Sequence, residues 1–239
     1  MNANKYQPQT FGQIVFANYE SSQLLEDIVT GVMPFPFEGK TAILLYGTFG
    51  SGKTTLARLL PEAIELGQTN QSLSMQAEFF GCQQGHVGTV FTTLVEKQTA
   101  SISFNASNNH YFIFDEVDSL SKAAQAGLKT TLNNQRSVFI LTTNNISRLD
   151  KGVRDRCIEV DMNAPPDTAF LPLARQIAAD ENVVLNDAQL LSAIAGNNGS
   201  FRSVISEVLW LAKRTARQSM SAASIATATI QQAAKGTDK

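Results

Sequence analysis

The chain has 239 residues, with 19 Lys and Arg against 21 Asp and Glu and two His, for a formal net charge of -2. Hydrophobic residues make up 43%, which excludes wholesale disorder and supports a sizeable core. Charged residues, at 17%, are too few and too balanced for a basic nucleic-acid coat, although a local basic patch is compatible with them. Cys82 and Cys157 stand far apart without metal-type spacing. They exclude a disulfide framework and a four-cysteine zinc module, and read as two small buried or half-buried thiols. The opening residues, Met1 to Lys5, contain no apolar signal core, and no apolar run approaches the roughly 18 residues of a membrane span. The expectation is a soluble, cytoplasmic protein with no membrane partner.

In chain order, the first helical pattern runs from Ser21 to Val32, with Leu24, Leu25, Ile28 and Val29 on one face, before Pro34 and Pro36 break it. Ala42–Tyr46 is a short apolar run ahead of a glycine-rich turn and reads as a strand buried on both faces. Thr54–Leu60 reads as the helix that follows, Met75–Phe80 as a second strand and Val90–Ala100 as a helix. His110–Phe114 is an aromatic and β-branched strand. Leu120, Ala124, Leu128 and Leu132 recur every four residues, one face of a helix. Val138–Thr142 and Cys157–Met162 are further strands. Strand and helix alternate, which predicts an α/β domain with a parallel sheet. After Asn163-Ala-Pro-Pro-Asp167 the patterns are only helical: Thr168–Glu181, Asp187–Ala195, Ser200–Ser219 and Ser221–Lys235. Asp187 and Ser200 are the expected N-caps and Gly196 a stop. The expected domains are residues 1–165, residues 166–235 and a disordered tail at 236–239.

Gly47-Thr48-Phe49-Gly50-Ser51-Gly52-Lys53-Thr54 fits the phosphate-loop pattern G-x-x-x-x-G-K-[ST], with a strand before it and a helix after. Glycines let backbone N–H groups curl around a phosphate, and the helix that follows points its positive end at it. Lys53 would reach the β- and γ-phosphates and the Thr54 hydroxyl would ligate Mg²⁺, with Thr55 beside it. About 60 residues later an apolar strand ends in Asp115-Glu116-Val117-Asp118. Ligands of parallel sheets bind at the C-terminal strand ends. Asp115 would hold Mg²⁺, directly or through water, and Glu116 would polarise a water for attack on the γ-phosphate. Val138–Asn144 ends a strand in a polar triplet; the Asn144 amide could orient that water or simply begin a loop. Arg154 and Arg156 precede the last strand and could neutralise phosphate charge or form surface ion pairs. Arg202 opens a helix of the second domain and could reach a nucleotide.

Together these residues resemble the AAA+ ATPase family, and its clamp-loader branch most closely, from about Lys5 to Ala234. Lys5-Tyr6-Gln7-Pro8 is similar to the Lys-Tyr-Arg-Pro opening of clamp-loader subunits. Asp115-Glu116-Val117-Asp118 with Gln125-Ala126-Gly127-Leu128-Lys129 resembles a stretch of the small subunits of replication factor C. Leu141–Asn145 resembles the sensor-1 strand, Asp155-Arg156-Cys157 the Ser-Arg-Cys motif, and Gly199–Arg202 the sensor-2 element. The resemblance implies a P-loop NTPase: a five-stranded parallel αβα base, then a lid of three or four helices, with ATP and Mg²⁺ held between them. It implies Asn144 as sensor 1, Arg202 as sensor 2 in cis, and Arg156 as a finger acting in a neighbouring subunit's site. The sequence departs from the family pattern at Gln7, where Arg is usual, at Phe49, where Pro is common, and at Asp155, where Ser is usual. The zinc module of bacterial tau and gamma subunits is absent, and the pattern leaves no segment for a collar domain.

Lys122, Gln125 and Lys129 fall at i, i+3 and i+7 on the helix after Asp118, opposite the leucine stripe. The resemblance places that helix beside a DNA backbone, where lysine contacts would be salt-sensitive and independent of sequence. Lys213, Arg214 and Arg217 form a second basic cluster, expected as a solvated face beside a buried Leu209 and Trp210 side. Phe79 and Phe80 read as core strand, and His86 and His110 as structural. The leading expectation is a clamp-loader-like ATPase subunit whose partners are other AAA+ subunits, DNA and a sliding clamp. The alternatives are an initiator, helicase-loader or transposition-regulator ATPase forming a DNA-bound spiral, and a nucleotide-gated scaffold without turnover.

Overall fold

The computed structural model describes residues 3–236. The chain divides into two units, one from Gln7 to Pro165 and one from Pro166 onward that also takes in the residues up to Tyr6. Residues 237–239 of the expected tail lie outside the described residues, and Gly236 is the last residue of a helix.

The first unit is built from helix α1 (Tyr19–Val29), strand β1 (Ala42–Tyr46), α2 (Lys53–Thr69), β2 (Glu78–Gly81), α3 (Gly88–Thr99), β3 (His110–Asp115), α4 (Lys122–Thr131), β4 (Ser137–Thr143), the short α5 (Lys151–Arg154) and β5 (Cys157–Asp161). The five strands are all parallel, in the order β2-β3-β4-β1-β5. Alternate side chains leave the sheet on opposite faces. Tyr111, Ile113, Val138, Ile140, Ile43 and Leu45 bury against Leu25, Ile28, Leu56, Leu60 and Ile64 of α1 and α2. Phe112, Phe114, Phe139 and Leu141 bury against Phe91, Val95, Ala124 and Leu128 of α3 and α4. Helices on both faces explain why β1, β3 and β4 are buried along almost their whole length.

Local chemistry fixes the element ends. Asn18 Oδ1 accepts from the Ser21 amide at 2.8 Å and starts α1, and Ser121 Oγ accepts from Ala124 to start α4. The helix expected at Thr54–Leu60 continues to Thr69, because the stripe Leu56, Leu60, Ile64 outlasts Pro61 and its missing N–H. Strand β2 is shorter and later than expected and lies at the sheet edge. Phe79 therefore turns outward, with the Arg58 guanidinium 3.8 Å from its ring centroid, while Phe80 packs inward on Phe91 and Phe114.

The second unit holds α6 (Leu171–Asp180), α7 (Asp187–Ile194) and α8 (Phe201–Gly236), with a core of Phe170, Ala174, Ile177, Leu190, Ile194, Val204 and Val208. Asn186, not Asp187, caps α7, in a reciprocal box with Gln189. The two helices expected at Ser200–Ser219 and Ser221–Lys235 are one, since neither Gly nor Pro interrupts the stretch. Ser200 Oγ accepts from the Ser203 amide at its start, and Gly196 with φ +83° follows the end of α7. The two units divide between Pro165 and Pro166, and the opening residues group with the second. There the Lys5 ammonium lies 2.6 Å from the Asp180 carboxylate, and Tyr6 is buried. Trp210, expected among buried residues, is 68% exposed. Among the described residues no helix is long and apolar enough to cross a membrane.

Both cysteines are buried, and burial pushes each thiol from 9.0 up to about 12. The unfolded chain ionises them first as pH rises, so their contribution to stability is complete below pH 9 and is lost toward pH 12. The expected outcome is that a thiol-reactive chromogenic disulfide at pH 8 titrates neither cysteine in the native protein and both in urea.

Candidate nucleotide site

The phosphate loop joins the end of β1 to the start of α2, at the point where the chain leaves the middle of the sheet for its edge. Such a switch point opens a crevice at the strand ends. Gly47 is required there by space: an added Cβ would lie 2.5 Å from the Met162 backbone. Gly52, with φ +94° immediately before α2, takes a left-handed conformation that a side chain would strain. Lys53 is the first residue of α2 and is buried; its Nζ donates to the carbonyls of Gly47 at 3.0 Å and Thr48 at 2.7 Å. Burial lowers its ammonium to about 8, against the opposing pull of Asp118, Asp115 and Glu116. Thr48 and Phe49 stand exposed at the loop tip, and Gly50, Ser51, Thr54 and Thr55 are half-buried.

Asp115 ends β3 one strand away from β4. Its Oδ1 accepts two hydroxyl hydrogen bonds, from Thr54 at 2.8 Å and from Thr142 at 2.7 Å. Thr142 Oγ1 in turn accepts the Glu116 N–H at 2.9 Å. Glu116 sits at φ +60°, a strained conformation for a residue with a side chain, and leaves the sheet exposed. Asn144 follows β4; its N–H donates to Asp118 Oδ1 at 3.3 Å, and no hydrogen bond of its side-chain amide is formed among the described residues. The structure thus gathers Lys53, Thr54, Asp115, Glu116 and Asn144 at one end of the sheet. It adds two residues to which pattern reading gave no role, Thr142 and Asp118. The doubled Thr142-Thr143 at a buried strand end was the available signal.

The donor set suits Mg²⁺. Thr54 and Asp115 present a hydroxyl and a carboxylate 2.8 Å apart, both hard oxygens. Among the described residues no group of three or more His, Cys, Asp or Glu could hold a metal alone.

Arg156 is elsewhere. It precedes β5, whose Cys157 pairs with Ala42 at the start of β1, whereas the phosphate loop follows the end of β1. A five-residue strand separates the two, about 16 Å. The Arg156 guanidinium is held there by Asn133 Oδ1 at 2.8 Å and by the Gly152 carbonyl at 2.7 Å. Arg154 is instead paired bidentately with Glu159. Arg202 lies in the first turn of α8 in the second unit and is exposed.

The expected DNA face does not survive as a unit. Gln125 is buried: its Nε2 donates to the Leu120 and Arg148 carbonyls and its Oε1 accepts the Asp150 N–H at 2.7 Å. On α4 it lies next to the Ala124–Leu128 stripe, so it binds the turn after β4 instead of facing solvent. Lys129 is half-buried, its stem running past Gly152. Lys122 alone of the three is exposed.

A loop whose lysine and glycines frame a phosphate position, with a strand-end carboxylate touching the loop threonine, defines a P-loop nucleoside triphosphatase. The family model described as ATPase family associated with various cellular activities (AAA) matches residues 43–163, and the chain belongs to that family. It is 27% identical over 205 residues to a replication factor C small subunit 2 of Pyrobaculum islandicum, covering 84% of this chain and 60% of that one. It is 26% identical over 219 residues to a replication factor C large subunit of Methanosarcina mazei, covering 86% of this chain and 32% of that one. The chain therefore spans about three-fifths of one relative and a third of the other. A RuvB variant from Thermotoga maritima shares the fold, with a TM-score of 0.61 at 16% identity over 87% of this chain and 64% of that one.

Thr142→Val keeps the shape of the β4 end and removes both hydrogen bonds of its hydroxyl. ATP turnover should fall roughly 10–100-fold, with a raised Mg²⁺ requirement and unchanged circular dichroism; phosphate release measured against Mg²⁺ concentration checks this.

Proposed function

We propose that the chain is an ATP-hydrolysing subunit of a clamp-loader-like assembly acting in DNA replication. The observation that carries this reading is the separation of Arg156 from the phosphate loop of its own chain. A guanidinium held at the opposite end of the sheet from that loop serves no phosphate there. Placed against the loop of an adjacent subunit, it completes a site. The relatedness to replication factor C subunits supplies the biological setting.

Within each site, Lys53 and the N–H groups of residues 47–55 bind the phosphates; Thr54 and Asp115 would hold Mg²⁺, which would supply charge neutralisation. Glu116 accepts a proton from the attacking water and the Asn144 amide orients that water. Arg156 of the neighbouring subunit neutralises the transferring phosphoryl group. Arg202 carries over from its motif as a phosphate-sensing cation, and its exposure leaves it available. Lys122 is the DNA-backbone contact that remains of the original three. Ile102 and Phe104, 80% and 78% exposed on the loop before β3, offer apolar side chains to a protein partner such as a sliding clamp. The complete set of Lys53, Asp115 and Glu116 supports turnover over a non-hydrolysing scaffold.

Two variants separate the roles. Glu116→Gln should retain ATP affinity and lose hydrolysis by at least roughly 100-fold, leaving ATP trapped on the protein by filter binding. Arg156→Ala should bind ATP normally and lose turnover by roughly 1,000-fold. Mixed with Lys53→Ala subunits, which have a dead site but an intact finger, it should regain part of that rate. Wild-type turnover by Arg156→Ala would remove the trans assignment.

A further inference from the structure

Outside the nucleotide site, the strongest unassigned feature is on α8. Trp210 is exposed, and Lys213, Arg214 and Arg217 follow it at helical spacing, so the four share one side of the helix over about 10 Å. All three cations are exposed, and among the described residues none forms an ion pair. With Ser206 and Leu209 they line a cavity of about 450 Å³. Glu207 is the only carboxylate on α8, set against five Lys and Arg. An indole on a solvated helix exposes apolar area to water, and three neighbouring cations repel one another. Both costs are relieved by one kind of partner: a polyanion that also carries flat π-systems.

We infer that this face of α8 binds single-stranded nucleic acid, with Trp210 stacking on a base and Lys213, Arg214 and Arg217 contacting the flanking phosphates. Charge complementarity accounts for the three cations, and stacking accounts for the exposed indole. An acidic peptide would satisfy the first and leave the second unexplained. The surface lies in a different unit from Lys122 and from the nucleotide site, and its binding requires no ATP. Its test is therefore independent of the proposed ATPase.

Trp210 is the only tryptophan in the chain, so fluorescence excited selectively in the indole, beyond the absorption of the tyrosines, reports on this face alone. Titration of the full chain with oligothymidylate, without ATP or Mg²⁺, should quench that fluorescence. The logarithm of the binding constant should fall against the logarithm of salt concentration with a slope of about -2, and each of Lys213→Ala, Arg214→Ala and Arg217→Ala should reduce the slope by about 0.7. By anisotropy of a labelled oligonucleotide, Trp210→Ala should bind roughly ten-fold more weakly, and Trp210→Phe should restore most of the loss. Circular dichroism confirms that each variant keeps its helices. Anisotropy that reports binding without quenching would overturn the inference, as would equal quenching by polyglutamate, which would make the face a docking site for acidic protein.

Discussion

One carboxylate oxygen organises the strand ends of the first unit. Asp115 Oδ1 receives the hydroxyls of Thr54 and Thr142, and Thr142 receives the Glu116 amide. The start of α2, the end of β3 and the end of β4 are thereby tied through a single atom. Hydrogen bonds to an ionised acceptor contribute about 1.5–3 kcal/mol each, well above an ordinary neutral pair. The left-handed turn at Glu116 is the local cost of that arrangement. It directs the Glu116 side chain away from the sheet while its N–H stays fixed. The position of Glu116 therefore depends on Asp115.

Much of this was legible in the sequence, and for physical reasons. A strand covered by helices on both faces must be apolar at every position, so Ala42–Leu45 and Tyr111–Phe114 announce themselves without alternation. A loop that wraps a phosphate needs glycine where the backbone turns left-handed or passes close to a neighbour, and Gly52 and Gly47 do one each. The carboxylates follow because strand ends are where a parallel sheet presents chemistry.

Other features were not legible, because they depend on contacts distant in sequence. Gln125 and Lys122 look equivalent on a helical projection, but only Gln125 meets the turn at Arg148–Asp150, and that turn comes from the next strand connection. Trp210 is apolar by composition and sits beside a buried stripe, yet α6 and α7 cover only the flank that carries Val204, Ile205 and Val208. The opening Lys5 and Tyr6 join the helical unit through Asp180, about 175 residues away. Thr142 was hidden for the opposite reason. A threonine in a buried strand is ordinary, and only the geometry shows that its hydroxyl serves two groups.

The placement of Arg156 at the start of β5 and of the phosphate loop at the end of β1 has a consequence for symmetry. On the proposed reading, the donor and acceptor surfaces of one subunit are different patches at opposite ends of the same sheet. A two-fold dimer brings residue i of one subunit to residue j of the other and j to i, so it would use both loops and both fingers in one closed contact. A contact that uses one loop and one finger is head-to-tail, and the rotation per step decides whether the series closes as a ring or runs on as a helix. In an open series the two ends are chemically unequal: one subunit has a loop with no incoming arginine, and the other has an arginine with no loop to serve. Such an assembly has a built-in polarity even when all of its subunits are identical.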